Sequence, residues 1–211
     1  MQVTEIINAK TFWFASMSVL DNEGGTAIGP IHRGLIERYK FMNHPVSGPD
    51  ILSGSGGLIY KAGEFSFSGR LIGINLSLFS DGLVAETSVS TDASDAFLED
   101  LSDWVVSTFR FKRPSSVRTR IVYESQLYLT SNVSLIAGDQ LRTFTTLLRE
   151  YTGNATEEPW AFLFEPDGQL TSFSFERRAN TPFSTNQYYS KSAVSTSKHI
   201  ELLQAFEKIF Q

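Results

Sequence analysis

Three histidines, a band of carboxylates and a run of cations are the side chains of this sequence best equipped for chemistry. The imidazoles are His32, His44 and His199. A local metal clamp needs two of them at i, i+4 on a helix or i, i+2 on a strand, and no pair has that spacing. The chain has no cysteine, which excludes thiolate metal sites, disulfides and a cysteine nucleophile together. The expectation is a protein with no metal and no cofactor. A hydrolase or transferase assembled from dispersed serine, histidine and carboxylate groups is the enzymatic alternative, with His32 its best-placed imidazole beside Arg33 in an irregular region.

The carboxylates Asp92, Asp95, Glu99, Asp100 and Asp103 fall on one predicted helix. Asp92 and Asp95 lie in its first turn, where the positive end of the helix dipole favours negative charge. Glu99 and Asp103 stand at i, i+4 on the polar side, the pattern of a solvated face rather than of an acid/base pair. The glycine-rich Ser53-Gly54-Ser55-Gly56-Gly57 lacks the lysine and spacing of a phosphate-cradling loop, and serine stands at 53 where a nucleophile elbow needs glycine. It reads as a connector.

Two stretches point to binding. Arg110, Lys112, Arg113, Arg118 and Arg120 follow the carboxylates at once, and Arg113, Arg118 and Arg120 form a candidate anion site. Arg177 to Ser195 reads as a long connector rich in aromatic and amide side chains. Its Arg177, Arg178, Phe183, Tyr188 and Tyr189 form a candidate partner-binding surface, because tyrosine and arginine combine contact area with hydrogen-bonding ends. Sequons occur at Asn75, Asn132 and Asn154; Asn75 falls mid-strand, and glycosylation is not inferred.

These residues must be positioned by a small set of elements, centred on Phe65 to Phe111. Ile72, Ile74, Leu76 and Leu78 alternate with Leu71, Gly73, Asn75 and Ser77 as a strand does. Ser80-Asp81-Gly82 reads as a hairpin turn in which Gly82 supplies a positive φ. An amphipathic helix follows, with Ala93, Phe97, Leu101, Trp104, Val105 and Thr108 on one side and Trp104 expected to be largely buried. Val117 to Thr130 is a half-buried strand with Arg118, Arg120, Glu124 and Gln126 outward. Asp139 to Gly153 reads as a helix with Leu147 and Tyr151 among its apolar positions. Trp160 to Arg178 reads as a second hairpin turning at Pro166-Asp167-Gly168, and a last helix carries Ile200, Leu203, Phe206 and Ile209. Nearer the N-terminus, Val3 to Lys10 allows a short helix, Phe12 to Leu20 a strand, Ile31 to Phe41 a helix and Pro45 to Gly57 a loop. Val89-Ser90-Thr91 and Val194-Ser195-Thr196 enter the two best helices alike, after hairpins with Asp-Gly turns.

The sequence therefore indicates an α+β fold: a mainly antiparallel sheet with amphipathic helices on one face, and two related ββα halves as an option. It reads as one domain over 1–211 that admits division at 113/114. Its 211 residues are 41% hydrophobic, enough for a substantial core, and the formal net charge of −5 argues against general nucleic-acid binding. No segment approaches the roughly 20 apolar residues of a membrane span, and the N-terminus lacks the basic region of a signal peptide, so a cytoplasmic location is expected. The function indicated is non-catalytic binding or assembly with another protein or with a second copy of itself. A structural subunit of a phage or secretion particle is a further alternative.

Overall fold

The computed structural model describes residues 1–15, 28–46, 57–110, 118–132, 146–147, 150–151, 161–164 and 173–209, with only the backbone of Ile28, Arg118, Thr119 and Phe183. Its strands are β1 (Gln2–Ala15), β2 (Leu58–Phe67), β3 (Arg70–Phe79), β4 (Gly82–Thr87), β5 (Arg118–Thr130), β6 (Ala161–Phe164), β7 (Phe173–Arg177) and β8 (Gln187–Ser192). They form one antiparallel sheet in the order β2-β3-β4-β1-β5-β8-β7-β6. The helices are α1 (Ile28–Tyr39), α2 (Thr91–Phe109) and α3 (Thr196–Lys208). The class is α+β, as the alternating and 3.6-residue patterns imply. Contacts group the chain into two units, one of Asn8–Glu124 and one of Met1–Ile7 with Ser125–Gln211.

In the unit formed by Asn8–Glu124, α1 and α2 cover one sheet face. Leu35 and Tyr39 from α1 and Phe97, Leu98 and Leu101 from α2 meet Trp13, Tyr60, Ile74, Leu76 and Ala85 from the strands in a single core. Helix α2 starts where Ser90 accepts a bond from the Ala93 N–H at 3.2 Å, removing one of the donors a helix start leaves open. It ends at Arg110, in the left-handed region at φ 59°, whose N–H returns to the Val106 carbonyl. Strands β2 and β3 are joined through Ser68 and Gly69, both at positive φ, the mirror-image turn that matches strand twist.

Several expectations are corrected here. Val3 to Lys10 is strand rather than helix, because β1 already starts at Gln2. Trp104 packs against the core as expected but keeps part of its surface exposed, its ring edge-on to Phe109 at 5.4 Å, and Trp13 is buried more deeply. Gly82 does not take a positive φ. Glycine is required there because a Cβ would lie 2.3 Å from the carbonyl oxygen of Trp13 on the neighbouring strand. Since a backbone atom cannot step aside as a side chain can, Gly82→Ala should cost about 1–3 kcal/mol, read from the shift of a urea unfolding midpoint.

In the other unit, α3 covers the face carrying Leu127, Leu129, Phe175 and Tyr188, with Leu203 as its buried apolar residue and the Phe206 ring 5.0 Å from that of Phe175. Glu207 accepts a bond from Ser131 Oγ at 2.7 Å and pairs with the Met1 amino group. Thr146, Leu147, Glu150 and Tyr151 are helical as expected, but Leu147 and Tyr151 are exposed. The turn at Pro166-Asp167-Gly168 and most of the Pro45–Gly57 loop lie outside the described residues.

The two halves of the chain repeat one topology. Among the described residues each half carries one strand followed later by three strands and a closing helix, with helical residues after the first strand (α1 in the earlier half; Thr146, Leu147, Glu150 and Tyr151 in the later). The repetition extends to register. Ala9 faces Thr87, Thr11 faces Ala85 and Trp13 faces Leu83. At the matching places Ser125 faces Ser192, Leu127 faces Ser190 and Leu129 faces Tyr188. Four inward positions of α2, Thr91, Ser94, Leu98 and Ser102, recur at identical spacing in α3 as Thr196, His199, Leu203 and Glu207. The shared Val-Ser-Thr entries stand at matching places in this pattern, each leading into the helix that closes its half.

Candidate partner-binding face

Alternation along β5, β7 and β8 sorts their side chains onto two faces. Ser125, Leu127, Leu129, Phe175, Arg177, Tyr188, Ser190 and Ser192 are buried, whereas Gln126, Tyr128, Glu176, Tyr189 and Lys191 between them are only half-buried. Stretch 187–192 is therefore a strand, not part of a connector running from Arg177 to Ser195. Its inward set is one tyrosine and two serines, so it carries no apolar period to read.

That division splits the residues expected to bind a partner. Tyr188 is fully buried, stacked on Phe175 at 4.8 Å, and belongs to the core. Arg177 is also interior, with its guanidinium 5.5 Å from the Tyr188 ring centre. Neither offers a surface to a partner. Phe183 lies in a short 3-10 turn, Phe183–Thr185, and its side chain is outside the described residues. Tyr189 and Arg178 are on the face opposite α3 and act together. The Tyr189 hydroxyl donates to Gln126 Oε1 at 3.1 Å, and its ring meets Tyr128 edge-on at 6.0 Å. The Arg178 guanidinium reaches across β8 to stand 3.9 Å from the centre of the Tyr128 ring, within cation–π range. Its own N–H bonds the Gln187 carbonyl at 3.0 Å, which fixes the base of the side chain. Tyr128 and Gln126 were not singled out by sequence; their place next to Tyr189 on the neighbouring strand is visible only once β8 is paired with β5.

Of the proposed anion site, only the side chain of Arg120 falls among the described residues. Arg113 and the side chain of Arg118 lie outside the described residues. Arg120 is exposed on β5, its guanidinium 5.9 Å from the Phe14 ring centre.

The groups of the enzymatic alternative are held in structural contacts. Asp95 accepts from Trp13 Nε1 at 2.8 Å. Asp100 receives Arg38 at 3.0 Å and the Tyr39 hydroxyl at 2.7 Å. That buried hydroxyl beside a carboxylate has its pKa pushed well above the usual tyrosine range, chiefly by desolvation. His199 is fully buried, with Nε2 2.9 Å from Ser190 Oγ. Ser190 gives its one proton to the Ser174 carbonyl at 2.7 Å, so Nε2 is the donor and Nδ1 the bare nitrogen. A serine so committed and so buried is no nucleophile. Burial pushes the His199 pKa down to about 4.

The fold does bring His32 and His44 together, with ring centres 5.7 Å apart although their sequence spacing gives no sign of it. His32 Nδ1 lies 2.8 Å from the Tyr60 hydroxyl. Desolvation, then the neighbouring His44, lowers the His32 pKa, while burial pushes that of Tyr60 up to about 12. No group of three or more His, Cys, Asp or Glu side chains suited to a metal occurs among the described residues. No helix among them is long and apolar enough to cross a membrane. Comparison with known proteins assigns this chain to no family: no family model matches its sequence, and no curated protein does.

Proposed function

We propose that this is a non-catalytic protein that works by associating with another protein, or with a second copy of itself, through the sheet face opposite α3. The observation that carries the reading is the Arg178–Tyr128–Tyr189–Gln126 cluster. These four side chains brace one another, three from β5 and β8 and Arg178 from just past the end of β7, and Arg178 and both tyrosines stay partly exposed. Tyrosine and arginine fixed in this way bring contact area at little further entropic cost on binding. The structural use of Asp95, Asp100, Ser190 and His199 gives further support over an enzymatic role.

Photo-crosslinking tests the reading. Benzoylphenylalanine at position 189 should capture a discrete adduct, from its own kind or from native extract, and the same group at exposed Glu201 on α3 should not. Equal adducts at both positions, or none at 189, would contradict it.

A further inference from the structure

We infer that the partner meets this face with an acidic segment, one of whose carboxylates is taken by Arg178. The inference rests on the reading above and adds the chemistry of the ligand. A guanidinium lying over a ring uses its flat face, while its N–H donors point outward around the rim. The Arg178 Cζ stands over the Tyr128 ring, 3.9 Å from its centre, closer than Arg38, Arg120 or Arg177 to their rings. Arg38 has Asp100 as its carboxylate, whereas Arg178 has no ion-pair partner among the described residues. Its anchored position and unfilled fork match the two oxygens of a carboxylate. Lys191, on the same face of β8, adds a second positive charge, beside the carboxylate of Glu176 on β7.

Charge selects the class of anion. Binding a nucleic acid requires several cations to neutralise successive phosphates, and here two cations stand on a chain of net charge −5. A protein segment with a few acidic residues asks for less positive charge and suits the tyrosines beside it.

The test is a titration of the whole protein with an acetyl-capped peptide of alternating glutamate and glycine, followed by amide NMR shifts. Saturable shifts should centre on Tyr128, Arg178 and Tyr189, and a glutamine-for-glutamate peptide should give none. Arg178→Gln should weaken binding by about tenfold, and Arg178→Lys should not restore it, since an ammonium lacks the fork. An unchanged thermal midpoint in both variants would show that the loss is local. Equal affinity in wild type and Arg178→Gln, or shifts centred elsewhere, would overturn the inference. So would tighter binding of oligothymidylate at the same amides, which would make the ligand a nucleic acid. Line broadening there that grows with protein concentration alone would make it a second copy, and that too would overturn it. If the peptide fails while the crosslink at 189 is still captured, the carboxylate inference falls and the proposed function stands; if both fail, both fall.

Discussion

Trp13→Ala should cost about 3–5 kcal/mol, the range for removing a large buried aromatic. The ring is 2% exposed and packs with Leu35, Phe97 and Leu98 in the core of the first half. Truncation leaves a cavity between sheet and helix, and it also strips Asp95 of the indole N–H that it accepts at 2.8 Å. Trp104→Ala should cost roughly 1–2 kcal/mol, because that ring keeps part of its surface in water and less area returns to solvent when it is cut. Urea unfolding of the two variants side by side checks the order. A larger loss at Trp104 would place the centre of the core at the far end of α2 and contradict the packing described.

Acid should destabilise the protein through His199, by about 3 kcal/mol in all, the free-energy equivalent of lowering its pKa from 6.5 to about 4. The sign follows from which state takes the proton. An unfolded chain protonates this histidine below 6.5, whereas the folded protein, with the ring buried and its Nε2 donating to Ser190, resists until about 4. The stabilisation is complete above pH 6.5 and is lost as pH falls through that window. His199→Gln should flatten the fall in unfolding free energy between pH 6.5 and 4, whatever it does to stability at neutral pH. An unchanged pH slope in the variant would mean that the imidazole is accessible and already titrates normally.

The elements easiest to read are those with a regular apolar period. In β3, Ile72, Ile74, Leu76 and Leu78 share the face turned to the core, and α2 carries its apolar stripe with a serine cap in front. Strand β8 was illegible because its inward Tyr188, Ser190 and Ser192 have no apolar period, although burial sorts them as cleanly as any strand. The same substitution of polar for apolar interior residues hid the repeat. Ala9 and Ala85 of the first half are matched by Ser125 and Ser190 in the second, so spacing is kept while hydropathy is not. At Gly82 the Asp-Gly pair signals a turn glycine but not the reason for it, since close approach of a neighbouring strand leaves no trace in local sequence. The candidate face was half legible: Arg178 and Tyr189 could be named, but Tyr128 and Gln126 come to them through strand pairing, and adjacent Tyr188 points the other way.

That adjacency gives the most direct test of where the protein binds. Tyr188→Ala and Tyr189→Ala are made separately, and for each the thermal midpoint and the yield of the associated species are measured on the same sample. The account predicts opposite outcomes: Tyr188→Ala lowers the midpoint while the molecules that remain folded associate as before, and Tyr189→Ala leaves the midpoint within error of wild type while association weakens. Loss of association in Tyr188→Ala at unchanged stability, or a Tyr189→Ala protein that is destabilised yet still associates fully, would contradict it.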